Sequence, residues 1–317
     1  MSTQIHPTAI VDPKAELADD VVVGPYAIVD GNVSIGSGCV VGPHCRITGW
    51  TTIGAGNRFE SHCSIGAPPQ DLKYAGEKTL LEIGDGNTFR EFVTMHRGTP
   101  GGGGVTRIGN DSLFMAYVHV AHDCMVGSRT IFANAATLAG HVEVHDEATI
   151  GAFSAIHQFT RVGQYAFLGG FTAAAKDCLP YMRTVGARPA RCFGPNSIGL
   201  ERKGFSEERR RALVASLNRY GTPDHRRLAF DELLCFLLGL AEHRARRAGE
   251  TAPGPLGGGG FSSLAAAPRL DDLEAVDGLE FECLGVRRAG HAGQLVVHAE
   301  VVLEGDRGQG LVLLLDR

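Results

Sequence analysis

Large apolar residues recur at every sixth position from Ile5 to Ile65, through Val11, Leu17, Val23, Val29, Ile35, Val41, Ile47, Ile53 and Phe59. The beat resumes at Ile83, Phe89 and Met95, and runs again from Ile108 to Leu168. Four residues after each large residue stands a smaller one, as at Cys39, Cys45, Thr51, Cys63, Val118, Cys124, Ala136 and Ser154. Glycine often follows the large residue directly, as at Gly24, Gly36, Gly42, Gly54, Gly109, Gly127, Gly151 and Gly163. A period of six suits neither a helix nor one face of a long strand. It predicts short straight segments joined by corners, each sending one large and one small side chain into a narrow core, with glycine supplying backbone freedom at the corners. Such a repeat is the mark of a parallel β-helix. Three six-residue sides close a triangular coil of eighteen residues, and coils stack at about 4.8 Å.

The periodic part extends to about residue 192. Two stretches break it: 66–82, reading GAPPQDLKYAGEKTLLE, and 97–107, which contains Gly101 to Gly104 and sets Ile108 thirteen positions after Met95 instead of twelve. Insertions into a solenoid leave the coil as loops, and loops carry function. The glycine run is followed by no Lys-Ser/Thr pair, so it is read as a flexible surface loop and not as a phosphate loop. Residues 193–248 read as an α-helical region. One helix is capped by Ser206 and stops at Gly221, and a second covers 226–247. Residues 249–262 resemble a linker, and alternation in GQLVVHAEVVLEG suggests a small β element of unknown role within 249–317.

Composition narrows the function classes. The net charge of -5 argues against a general nucleic-acid binder. No apolar run approaches membrane-spanning length, and the N-terminus lacks a signal segment, so neither membrane insertion nor export is expected. The eight cysteines form no CxxC pair. Those at 39, 45, 63 and 124 occupy the small-residue position, which packing explains, and the expected compartment is a reduced cytoplasm.

The chemistry gathers on histidines. Val120, Leu138 and Ile156 are eighteen apart, so their segments stack on one face. His122, His141 and His157 follow them by two, three and one residues, His119 precedes them, and His96 falls below once the glycine-rich insertion bulges outward. Such a strip suits either a metal such as Zn²⁺ or a neutral imidazole acting as general base. Asp123 can orient the His122 ring only if the chain turns at that corner. No Ser or Cys stands beside the histidines in a nucleophile–base pattern, which favours direct transfer over a covalent intermediate.

The coils together with QDLKYAGE (70–77), MHRGT (95–99), HVAHDC (119–124), NAATLAGH (134–141), HQF (157–159) and GLERKGF (199–205) resemble the UDP-N-acetylglucosamine O-acyltransferases. The likeness covers about residues 1–220. It implies a left-handed β-helix in a homotrimer. It further implies transfer of an (R)-3-hydroxyacyl group from acyl carrier protein to the 3-hydroxyl of UDP-N-acetylglucosamine, the first step of lipid A synthesis, with no cofactor and no metal. By the same resemblance, His122 is the general base, Asp123 supports its ring and the Gly140 N–H faces the oxyanion. Gln70, Asp71, Lys73, His96, His119, His141, His157, Gln158, Asn196 and Arg202 contact the sugar nucleotide or the carrier arm. Phe167 and Gly170 gauge acyl length, and Lys203 with Arg209 to Arg211 meets the acidic carrier or forms an ordinary solvated face. Ile198 departs from the family motif, which has an acidic residue there.

Two alternatives stay open. The N-acyltransferase acting later in the same pathway usually carries a domain ahead of its β-helix, for which a repeat beginning at residue 5 leaves no room. A zinc enzyme of the carbonic-anhydrase type shares the fold, but His119, His122 and His141 do not reproduce its spacing.

Overall fold

The computed structural model describes residues 2–218 and three later strands, and it divides into two units, Met1–Thr222 and Pro223–Arg317. The first is the left-handed β-helix, built from two- to four-residue strands in three parallel sheets. The second, as far as described, is an antiparallel sheet of Glu280–Ala289, Val296–Glu304 and Leu311–Asp316. The alternating segment GQLVVHAEVVLEG supplies its middle strand. The helix expected over 226–247 and the linker 249–262 lie outside the described residues.

The six-residue beat maps directly onto the three faces. Val23, Val41, Phe59, Phe89, Phe114, Phe132, Ile150 and Leu168 are in register on the first, and Val29, Ile47, Ile65, Met95, Val120, Leu138 and Ile156 on the second. The third face aligns Leu17, Ile35, Ile53, Ile83, Ile108, Val126, Val144 and Val162. From Val23 to Leu168 these residues are all buried, and the small-position residues Cys39, Cys45, Cys63, Cys124, Ala136 and Ser154 are at most 1% exposed. On the first face Phe59, Phe89, Phe114 and Phe132 form a continuous internal stack with centroids 4.6, 5.0 and 4.9 Å apart. Each such pair adds roughly 0.5–1.5 kcal/mol beyond its buried area. Ile5 departs from the pattern: it is 48% exposed, because no coil stacks beneath the first one.

The repeat glycines do a different job from the one expected of them. Gly42, for example, has an ordinary backbone, but a β-carbon there would lie 2.6 Å from the Phe59 carbonyl of the next coil. These glycines let the coils approach. Most left-handed backbone positions at the corners are instead filled by side-chain-bearing residues, among them Tyr26, His44, His62, Phe92, Tyr117, Asp123, His141 and Phe159, with Gly38, Gly56 and Gly86 as exceptions. Their rings stack up the edges, as in Tyr26–His44–His62–Phe92–Tyr117, where neighbouring centroids are 4.9–5.1 Å apart. Contact between successive coils offsets the cost of a left-handed backbone, about 1–3 kcal/mol per residue.

Both interruptions leave from the same corner, between the second and third faces. One lies between Ser64–Ala67 and Leu80–Ile83, the other between Thr94–His96 and Val105–Ile108. Partners one coil apart are then 30 and 25 residues apart instead of 18. The thirteen-position step from Met95 to Ile108 therefore spans adjacent faces, not two hexads. After Ala173–Ala174 the solenoid ends in Met182–Val185, paired antiparallel with Arg191–Pro195. Helix α1 (Ser197–Arg202) and helix α2 (Glu207–Asn218) follow. α2 begins where Ser206 predicts, with the Ser206 hydroxyl accepting the Arg209 N–H at 3.3 Å. α1, only six residues long and containing Gly199, falls within the region read as α-helical but carries no periodic signature of its own; the Asn196 side chain caps it. Among the described residues no helix is long and apolar enough to cross a membrane.

Candidate active site

The second face and its following corner carry the histidine strip. His119 aligns with Thr94 on one side and Thr137 on the other, and His96 pairs with Ala67. The rings of His96 and His119 meet edge-on at 4.9 Å, and those of His122 and His141 do so at 5.2 Å. His157, one coil on, is exposed and its Nδ1 lies 3.1 Å from the Gln158 carbonyl.

Asp123 does turn back. Its backbone is left-handed, φ 58°, which brings Oδ2 to 2.7 Å from His122 Nδ1. A carboxylate only accepts, so Nδ1 is the donor, and in the neutral ring Nε2 is the atom with the lone pair. The His122 side chain is 16% exposed and that of Asp123 1%, which places a wet ring on a dry support. The ring fits only because residue 140 is glycine. A β-carbon there would lie 2.6 Å from His122 Cε1 and 2.9 Å from Nε2. Among the described residues the Gly140 N–H donates no hydrogen bond, so an unengaged donor sits beside the Nε2 lone pair.

His122, Asp123 and His141 offer ligand atoms within 4.8 Å of one another, the spacing of a metal group. Both Asp123 oxygens are already taken, however. Oδ1 accepts the Thr99 N–H at 2.8 Å, and Oδ2 accepts the Thr99 hydroxyl at 2.7 Å as well as His122. That donor set suits an imidazole better than a cation.

Cys124 adjoins this pair but offers no nucleophile: it is fully buried, and burial pushes its thiol up to about 12. Burial, helped by His119, His122 and Arg97, lowers His96 to about 4, and burial with His122 also lowers His119. Both are therefore neutral imidazoles at pH 7. In the unfolded chain these rings titrate near 6.5. Between pH 6.5 and about 4 the unfolded chain thus takes up protons that the folded chain refuses, so this stability is full above pH 6.5 and drains away as the pH falls through the window. For His96 the loss is at most roughly 3 kcal/mol. Urea unfolding at pH 7.5 and pH 4.5 is expected to show a smaller acid-induced fall for His96→Gln than for the wild type.

Gln70, Asp71 and Lys73 lie on the first insertion, where Asp71 Oδ1 accepts the Lys73 N–H at 2.9 Å. Arg97, unflagged by its sequence, ties the two insertions together. Buried to 5% exposure, it donates to the Gly66 carbonyl and, at 3.0 Å, to the Tyr74 hydroxyl, and it stacks 5.5 Å from the Trp50 ring centre. The remaining predicted residues stand apart from the histidines within this chain. Phe167 is on the first face and Gly170 follows it at the next corner. Asn196 caps α1 and donates to the Tyr165 carbonyl at 3.1 Å, at the corner between the third and first faces, and Arg202 is the exposed last residue of α1. The basic residues beyond are largely paired within the chain: Lys203 with Glu147 at 2.7 Å, Arg210 with Glu201 at 3.2 Å and Arg211 with Glu207 at 2.5 Å.

Hexapeptide coils bearing a histidine–carboxylate pair on their surface are the architecture of a hexapeptide-repeat transferase. Residues 14–49 match the bacterial transferase hexapeptide model, and residues 177–220 match the second domain of UDP-N-acetylglucosamine O-acyltransferase. The acyl-(acyl-carrier-protein)–UDP-N-acetylglucosamine O-acyltransferase of Alkalilimnicola ehrlichii is 61% identical over 67% of this chain and 81% of its own. That of Janthinobacterium sp. is 57% identical over 66% and 79%. Among solved structures, the UDP-N-acetylglucosamine O-acyltransferase of Moraxella catarrhalis superposes with a TM-score of 0.68 at 42% identity, covering 76% of this chain and 93% of that one. The chain belongs to the acyl-(acyl-carrier-protein)–UDP-N-acetylglucosamine O-acyltransferase family.

Proposed function

We propose that the chain moves an (R)-3-hydroxyacyl group from acyl carrier protein to the 3-hydroxyl of UDP-N-acetylglucosamine, with His122 as general base. The observation that carries this reading is the 2.7 Å His122–Asp123 pair, with the unengaged Gly140 amide belonging to the residue packed against the ring. His122 Nε2 takes the proton of the 3-hydroxyl as its oxygen attacks the thioester carbon. The Gly140 N–H supports the negative charge that develops on the thioester oxygen. Collapse breaks the carbon–sulfur bond, and the departing thiolate takes from His122 the proton that came from the 3-hydroxyl. Asp123 holds the ring in one tautomer and stabilises the transient imidazolium.

His96, His119, His141, His157 and Gln158 belong to the strip where the sugar and the carrier arm would lie, and Gln70, Asp71 and Lys73 on the first insertion would add further contacts to them. Asn196, Arg202, Phe167 and Gly170 sit on other faces of the same chain. Their roles in nucleotide contact and chain-length selection fit an assembly in which a second copy presents those faces to the histidine strip, as in a homotrimer. Free, buried cysteines suit a cytoplasmic setting, where the carrier protein would be met. Incubating UDP-N-acetylglucosamine with a panel of (R)-3-hydroxyacyl carrier proteins is expected to yield a 3-O-acyl product with one preferred length. A folded protein giving no product with any donor would overturn the reading.

A further inference from the structure

The glycine-rich insertion looks like slack in the sequence, yet its first turn closes on the most buried carboxylate of the site. Thr99 meets both oxygens of Asp123, its N–H reaching Oδ1 at 2.8 Å and its hydroxyl reaching Oδ2 at 2.7 Å. Thr99 is itself 5% exposed and caps the 3-10 turn Pro100–Gly102, accepting the Gly102 N–H at 3.2 Å. From the other side, Thr106 Oγ1 accepts the Asp123 N–H at 2.8 Å. The turn can pack this tightly because residue 102 is glycine. Its backbone is not left-handed, but a β-carbon there would lie 2.1 Å from the Asp123 carboxyl carbon and 2.3–2.4 Å from both oxygens.

We propose that the 97–104 insertion is a clamp on Asp123, with Thr99 as a positioning residue and Gly102 as the opening that lets the clamp shut. The reasoning rests on the reading of His122 as the base and adds what fixes its partner. Without Thr99, the carboxylate would keep its link to His122 and the looser approach of His141 Nε2 at 3.8 Å, and would lose both bonds from the insertion. It could then rotate about its own side-chain bonds and cease to fix the imidazole. With Thr99 in place, each Asp123 oxygen accepts one bond from Thr99, and Oδ2 also accepts the bond from His122 Nδ1. Two donors on one carboxylate also keep its charge stable in a dry site, where an unpaired charge is costly.

The full chain carries the test. Thr99→Val keeps the shape and removes the hydroxyl; it is expected to lower kcat about 10- to 100-fold with little change in KM, whereas Thr99→Ser stays close to the wild type. Gly102→Ala, which drives a methyl group into the carboxylate, is expected to fall with Thr99→Val. In an Asp123→Ala background neither substitution should lower kcat further, because groups acting through one partner are not additive. Losses that multiply independently with Asp123→Ala, or an unchanged kcat in both variants, would overturn the clamp. His122→Ala retaining near-normal turnover would instead overturn the base assignment, whatever Thr99 does. Unchanged thermal unfolding of the Thr99 variants separates positioning from loss of fold.

Discussion

Replacing His122 with alanine is expected to lower kcat by about 10³-fold, within the range that a positioned general base contributes. The protein should stay folded. The ring leaves the coil at a corner and takes no part in the apolar core, and the neighbouring segments are held by Val120, Cys124 and Leu138, all fully buried. Binding of the sugar nucleotide should change little, since the lost interaction forms only as the hydroxyl gives up its proton. Steady-state transfer kinetics, with circular dichroism to monitor the fold, decide the matter. A variant that kept a tenth of wild-type kcat would leave the proton without its acceptor and the assignment without support.

The second large effect concerns a residue with no side chain. Gly140→Ala is expected to reduce kcat by about 10²-fold, the loss that a displacement near 1 Å brings to an oriented group. The added methyl would sit 2.6 Å from His122 Cε1, 2.9 Å from Nε2 and 3.1 Å from Nδ1. No rotation of the ring in its plane relieves all three contacts. The ring must move, and either its link to Asp123 stretches or Nε2 leaves the amide of residue 140. Since the Gly140 backbone is not in the left-handed region, alanine is otherwise acceptable there, and unfolding temperature should barely shift. A kcat within twofold of the wild type would show that the ring has more freedom than the packing allows.

Much of this was readable in the chain itself. The six-residue beat was enough to place Val120, Leu138 and Ile156 on one face and to bring the histidines into one strip, because parallel stacking turns sequence spacing into position with almost no freedom. What the beat could not show was which way a corner residue points. The backbone of Asp123 is left-handed, a conformation no pattern of apolar residues encodes, and that turn is what makes the pair with His122. The role of the insertion was also hidden. Its glycines read as slack, whereas Gly102 marks a close approach and Thr99, the last residue of MHRGT, holds a carboxylate. Arg97 escaped notice for a similar reason: a basic residue in an insertion gives no hint of burial until its partners, the Gly66 carbonyl and the Tyr74 hydroxyl, come from another loop. The repeat glycines misled in the opposite direction, since their purpose is proximity between coils and not an unusual backbone.

The two long coils carry a consequence for how such a chain can change. Along most of the solenoid, length is a discrete variable. Losing one residue between Val126 and Ile150 would turn every later segment out of phase and face its apolar residue to water, whereas losing a whole turn of eighteen returns each one to its own face. Only the corner between the second and third faces visibly escapes this arithmetic, since coils of 30 and 25 residues pass there without disturbing the phase of Phe89 or Phe114. That edge is also where Asp123 and His141 turn. The residues proposed to do the chemistry therefore sit beside the seam at which chain can be added or trimmed freely, so loops around them can change length while the prism beneath stays fixed.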